Sequence, residues 1–227
     1  MPVLRAREAL RRIFFQRCFY LFIILLAFIS VLPFVEPTPA GRVATAALTV
    51  LVVVGTVAAV GRSTVSFVLA LLIAGPALYF HWLGVNSDDT ATLALSWIFA
   101  GALYAVTIAY LLQYVFRPEV MTSDKLFGAA AAYLMIGVLW AYLYALVEFH
   151  YPGSFSSGMI FISHGPIDFV YFSFTVLTST GFGDAVPLSP QARSVCVLEQ
   201  VVGALFLAIL IARLAGVYPP TQRRGES

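Results

Sequence analysis

Charge is scarce in this chain. Of its 227 residues only 11% are charged and 61% are hydrophobic, where a soluble domain carries about 25% charged and 45–50% apolar residues. A water-soluble globule is therefore excluded. Cysteine is nearly absent as well: Cys18 and Cys196 stand far apart inside apolar segments, so neither a disulfide framework nor a cysteine metal centre can be read from them. There is a single lysine, Lys125, and the formal charge is only +2, too little for a nucleic-acid-binding surface. No grouping of nucleophile, base and acid suggests hydrolysis or redox chemistry, so the chain is not read as an enzyme. What is present is a set of long uncharged runs separated by clumps of charge, the pattern of a chain that lives in a bilayer.

Six runs approach the roughly 20 apolar residues that cross a hydrocarbon core. They lie at about 13–35, 43–60, 63–83, 90–116, 126–147 and 192–217. The third contains Gly75-Pro76, which should kink or loosen it. With six spans and the N-terminus inside, 11 of the 13 basic residues fall on the inner side, leaving Arg42 and Arg193 outside. The positive-inside rule then places both termini in the cytoplasm. A cleaved signal peptide ending near Thr38-Pro39-Ala40 is a second reading of the N-terminus, one that leaves five spans.

The chemistry lies between the fifth and sixth runs. Gly165-Pro166 opens an apolar, hydroxyl-rich stretch to Thr178, suited to a short helix with proline in its first turn and Asp168 complementing its positive end. Thr178-Ser179-Thr180-Gly181-Phe182-Gly183-Asp184 follows directly. Its two glycines permit backbone conformations that residues with a Cβ resist, so that successive carbonyls can point to one side. Such carbonyls, completed by the Ser179 hydroxyl, replace the water shell of a monovalent cation. One chain supplies one ribbon, and a closed ring of ligands needs several copies around an axis.

Ser179-Thr180-Gly181-Phe182-Gly183-Asp184 resembles the potassium-channel selectivity filter, Thr-Val-Gly-Tyr-Gly-Asp. The resemblance extends over about 90 residues: outer helix Leu126–Val147, pore helix about Pro166–Thr178, filter, the Pro187 turn and an inner helix from about Pro190. It implies an all-α membrane protein of six transmembrane helices with a re-entrant pore helix, assembled as a fourfold homotetramer that conducts K+ passively. The implied K+ ligands are Ser179, Thr180, Gly181, Phe182 and Gly183. Thr178, Asp184, Tyr171 and Glu199 are the implied filter supports, with Asp184 bracing the outer mouth through Tyr171. Glu199, an acid within the sixth run, is expected to hydrogen-bond behind the filter to Ser173, Thr175 or Thr178, either as a structural acid or as a titrating group that couples the filter to pH. Gly203 matches the spacing of the family's inner-helix hinge, or else is a close-packing site, and Gly216 is a second flexible point. Gly203, Leu207, Leu210 and Leu214 share one helical face that would line the cavity.

The chain divides on this reading into a basic cytoplasmic N-terminus (1–12), a four-helix peripheral domain (13–117), a pore domain (126–217) and a short tail (218–227). Voltage-gated relatives carry arginine every third residue in the fourth span, whereas 90–116 contains no charge at all, so intrinsic voltage sensing through it is not expected. His81, His150 and His164 fall on the outer side as candidate pH-sensitive groups. No fused ligand-binding module is expected after Arg213; regulation would pass through lipids or a separate subunit. The expected location is a plasma membrane, that of a prokaryote. Thr180 and Phe182, which replace the family's valine and tyrosine, leave a weakly selective cation channel as an alternative. A non-conducting sensor or scaffold that keeps a pore-like loop is another.

Overall fold

The computed structural model describes residues 17–31, 47, 49–57, 64–87, 89–118, 122–156 and 165–217. These form α1 (Arg17–Val31), α2 (49–57), α3 (Thr64–Ser87), α4 (Thr90–Val115), α5 (Ser123–His150), α6 (Pro166–Leu177) and α7 (Pro190–Val217). Among the described residues there is no strand, only an isolated antiparallel bridge between Phe155 and Pro187. The described elements are all helices, and α3, α4, α5 and α7 are long and apolar enough to cross a membrane. At 1.5 Å per residue, helices of 24 to 28 residues reach about 36–42 Å, more than the ~30 Å hydrocarbon core. The first two expected spans are described only over α1 and α2. The N-terminus 1–12, the tail 218–227, Arg62, Asp88 and His164 lie outside the described residues.

Helix α5 is the centre of the packing, touching α1, α4, α6 and α7. Seven of its 12 buried residues are alanine or glycine (Gly128, Ala129, Ala131, Ala132, Gly137, Ala141, Ala145). Small side chains let neighbouring backbones approach, the main route to helix association where lipid is as apolar as leucine. Gly137 is one such place: a Cβ there would come 2.7 Å from the Phe174 ring of α6. Helix α1 offers Cys18, Leu21, Leu25 and Phe28, all buried, at the three-and-four spacing of one helical face. Its opposite face (Tyr20, Ile23, Leu26) is apolar and exposed, as a lipid-facing surface requires.

The helix boundaries follow local chemistry. Asp89 caps α4, accepting from the N–H groups of Ala91 (3.1 Å) and Thr92 (3.3 Å) and from the Thr92 hydroxyl. The Thr92 hydroxyl and the Ala91 N–H hold its carboxyl below the usual range. Thr122 caps α5 through Lys125 N–H, so α5 begins three residues before the expected Leu126. Helix α3 runs through Gly75-Pro76 without interruption.

At the end of the molecule away from α6, a polar junction ties four helices together. Asp124 accepts from the Cys18 N–H (3.1 Å) and the Tyr114 hydroxyl (2.7 Å). Lys125, buried, reaches the Arg117 carbonyl at 3.4 Å and lies 5.9 Å above the Tyr114 ring. The same carbonyl accepts from Arg213 of α7 at 2.8 Å.

Candidate ion-conduction site

Gly165 and Pro166 start α6 as the sequence requires. Pro166 occupies the first helical position, where a missing N–H costs nothing, and Asp168 reaches back to the Gly165 N–H at 3.4 Å. At 12 residues, α6 is about 18 Å long, too short to cross a bilayer. It is buried along Phe169, Phe172, Ser173, Val176 and Leu177. Phe169 and Phe172 join Tyr144 of α5 and Phe155, with ring centroids 4.9 to 6.3 Å apart. This aromatic cluster fixes the direction in which α6 points.

Beyond α6 the backbone alternates. Thr178 has φ −86°, Ser179 +55°, Gly181 +56° and Gly183 +81°, while Thr180 and Phe182 stay at negative φ. The left-handed region suits glycine but costs a residue with a Cβ about 1–2 kcal/mol, so Ser179 is strained. Alternation between left- and right-handed residues turns successive peptide planes to the same side, N–H groups one way and carbonyls the other. Three of the N–H groups point back to α6: Ser179 donates to the Val176 carbonyl at 2.9 Å, and Thr180 and Gly181 both donate to that of Thr175, at 2.9 and 3.1 Å. Behind the ribbon, Thr178 donates its hydroxyl to the Phe174 carbonyl, and its oxygen lies 2.7 Å from that of Thr180. Residues 178–184 are all exposed.

Asp184 closes the segment. It accepts from the Tyr171 hydroxyl at 2.8 Å and from the Ala185 N–H at 3.0 Å. The Tyr171 ring stacks on Phe182, with centroids 6.2 Å apart and planes 7° from parallel. Farther out, the loop after α5 is bound to the loop after the ribbon: Leu188 N–H donates to the Ser154 carbonyl (2.7 Å) and Ser156 N–H to that of Val186 (2.9 Å).

A family model described as "Ion channel" matches residues 128–218. The match supports a pore module of the potassium-channel superfamily over residues 128–218. A similar protein is an uncharacterized protein of Methanothermus fervidus, 36% identical over 81 residues, 35% of this chain. The chain spans 12% of that relative's length. No solved structure matches the chain.

Within the pore module the structure brings together most of the residues singled out from sequence. Ser179, Thr180, Gly181, Phe182 and Gly183 form the alternating ribbon, and Thr178, Tyr171 and Asp184 surround it. Of the three partners considered for Glu199, it meets Ser173, Oγ to Oε1 at 2.6 Å. Thr175 and Thr178 turn their hydroxyls to carbonyls of their own helix instead. Gly203 lies against the end of α6, where an added Cβ would sit 2.3 Å from the Leu177 carbonyl oxygen. Gly216 lies in the last turn of α7, His81 lies on α3 and His150 at the end of α5. Two supports were not anticipated. The Tyr144 hydroxyl of α5 donates to Glu199, and the Tyr133 hydroxyl reaches the Leu177 carbonyl at 3.5 Å. Both lie on the face of α5 toward α6, but a tyrosine within an apolar helix carries no mark separating it from a lipid-facing one.

Proposed function

We propose that this chain is the subunit of a homotetrameric channel that conducts K+ passively, with the Ser179–Gly183 carbonyls and the Ser179 hydroxyl as ion ligands. The observation that carries the reading is the alternating ribbon within an ion-channel pore module: three consecutive N–H groups face α6, and their peptide planes leave the carbonyls on the other side. A dehydrating cation needs ligands all around it. Four ribbons about an axis supply them, and closed cyclic symmetry is the ordinary way to arrange four copies. Helix α7 fits the same assembly, since Val197, Val201, Leu205 and Ile209 are all exposed and would face a partner or lipid.

Electrostatics support the same conclusion. The C-terminus of α6 runs straight into the ribbon, and the partial negative charge of a helix C-terminus favours a cation there. Four such ends converge in the tetramer. Helix α4 carries no Asp, Glu, Lys, Arg or His, so the field across the membrane has no charge to move within it. The channel is therefore gated by something other than its fourth helix. The distribution of basic residues supports a plasma-membrane subunit with the α6 end outside and the junction of Lys125, Arg117 and Arg213 inside.

The test is the reversal potential of the purified protein in planar bilayers with potassium on one side and sodium on the other. Reversal near the potassium equilibrium potential is expected. Reversal near zero favours the weakly selective channel, which Thr180 and Phe182 motivate, and absence of current under all conditions of voltage and pH favours the scaffold. A second expectation concerns the mouth. Removing the hydroxyl in Tyr171→Phe deletes the donor to Asp184 but keeps the ring on Phe182, so current through an open channel should decay roughly two- to tenfold faster with selectivity unchanged. Macroscopic current decay at constant voltage measures this; an unchanged decay makes Asp184 a solvated mouth charge.

A further inference from the structure

Glu199 is fully buried, and so are the two side chains that touch it, Tyr144 and Ser173. They come from three helices: Tyr144 from α5, Ser173 from α6 and Glu199 from α7. The Tyr144 hydroxyl contacts Oε2. The Ser173 oxygen lies 2.6 Å from Oε1 and 2.7 Å from the Gly137 carbonyl oxygen of α5. These are three oxygen–oxygen contacts at hydrogen-bond distance, and each needs one hydrogen. Tyr144 and Ser173 bring one each. The Gly137 carbonyl brings none.

We propose that Glu199 carries its proton in the folded channel, and that this proton is the third hydrogen of a strap fixing α6 to α5 and α7. The three oxygen–oxygen contacts then hold one hydrogen each: Tyr144 O–H donates to Oε2, the carboxyl O–H on Oε1 donates to Ser173, and Ser173 O–H donates to the Gly137 carbonyl, while the Cys196 thiol, which also meets the Tyr144 hydroxyl, brings its own hydrogen to that contact. With an ionised carboxylate, Ser173 would face two acceptors with one hydrogen and would have to release α5 or α7. The surroundings agree. The other ionisable groups acting on Glu199 are Tyr133 of α5 and Cys196 of its own helix, neither of them cationic. The ionisable groups of α6, Asp168 and Tyr171, are engaged with Gly165 and Asp184. A buried carboxylate without a cation is unfavourable in a membrane interior. Glu199 is thus a positioning residue: it does not touch the ribbon but holds the helix whose last carbonyls, those of Thr175 and Val176, anchor it.

Infrared spectroscopy of the full-length protein in lipid tests the proton directly and does not depend on conduction. The carbonyl stretch of a protonated carboxylic acid, distinct from that of a carboxylate, is expected in wild type at neutral pH and absent in Glu199→Gln. In Ser173→Ala the band should persist but shift, because the acid loses its acceptor. A carboxylate band lost in Glu199→Gln, with no protonated-acid band in wild type, overturns the proposal. The functional readout rests on the channel reading above. An amide N–H can replace the carboxyl O–H, so Glu199→Gln should keep potassium-selective current while Glu199→Ala loses it. Wild-type current should fall on alkalinisation, as the proton leaves, and that fall should be absent in Glu199→Gln. A glutamine variant that folds but behaves like the alanine variant overturns the proposal. Absence of current in wild type with the protonated band present sinks the channel reading and leaves the strap standing.

Discussion

Gly181→Ala is expected to reduce potassium current to background while leaving folded protein and oligomer intact. Gly181 sits at φ +56° with nothing within 4 Å of an added Cβ, so the substitution meets no clash. Its cost is conformational, about 1–2 kcal/mol for holding a residue with a Cβ in the left-handed region. That strain is relieved by turning the adjoining peptide planes, which breaks the Gly181 N–H bond to the Thr175 carbonyl (3.1 Å) and swings a carbonyl away from the axis. In a tetramer the defect occurs four times in one ring of ligands. Gly153 provides the control. It also has a left-handed φ, +80°, with open space around it, but it lies in the turn after α5. Gly153→Ala carries the same backbone strain and should conduct like wild type. Current amplitude and reversal potential in bilayers, with oligomer size from native mass spectrometry, separate the two. If Gly181→Ala conducts like Gly153→Ala, the ribbon is not the ion pathway.

The contrast between those two glycines also explains why the ribbon could be read from sequence. A proline-opened helix running into Gly-Phe-Gly-Asp is local information, complete within 20 residues, and the Asp184–Tyr171 bond spans only 13 positions. The long apolar helices were equally legible, because span length is set by the bilayer and not by the rest of the fold. The start of α5 was not, since Ser123, Asp124 and Lys125 read as a polar flank; the Thr122 cap was the available signal. Contacts between distant segments were the hardest. Three hydroxyls on α6 were open to Glu199, and the choice of Ser173 depends on how α5, α6 and α7 pack, with Thr175 and Thr178 taking the local carbonyls that helix geometry offers them. The junction of Lys125 and Arg213 turns on the carbonyl of Arg117, a backbone atom that no side-chain pattern marks. From sequence, those cations were only positive-inside residues.

Gly203→Ala is expected to lower the melting temperature of the assembled protein and to abolish current. The spacing of Gly203 from the ribbon suggested either a hinge or a close-packing site, and the two make different demands. A hinge needs backbone freedom; a packing site needs the absence of a Cβ. In the structure that Cβ would lie 2.3 Å from the Leu177 carbonyl oxygen, 3.2 Å from its carbonyl carbon and 3.0 Å from its Cδ1. Two of these three atoms are backbone, in the last residue of α6, one position before Thr178. They cannot rotate away, so α7 must move outward or the base of the ribbon must shift. Overpacking of this kind costs about 1–3 kcal/mol, and here the displaced element carries the ion ligands. The backbone origin of the clash yields a further discrimination. Trimming the side chain in Leu177→Ala removes Cδ1 but not the oxygen, so it should fail to restore wild-type stability to Gly203→Ala. Gly75, with nothing within 4 Å of an added Cβ, should accept alanine in α3 without loss of stability. Were Gly203 a hinge alone, Gly203→Ala would melt like wild type and change only the fraction of time the channel is open. Thermal unfolding in detergent and single-channel recording of the same preparations distinguish the two.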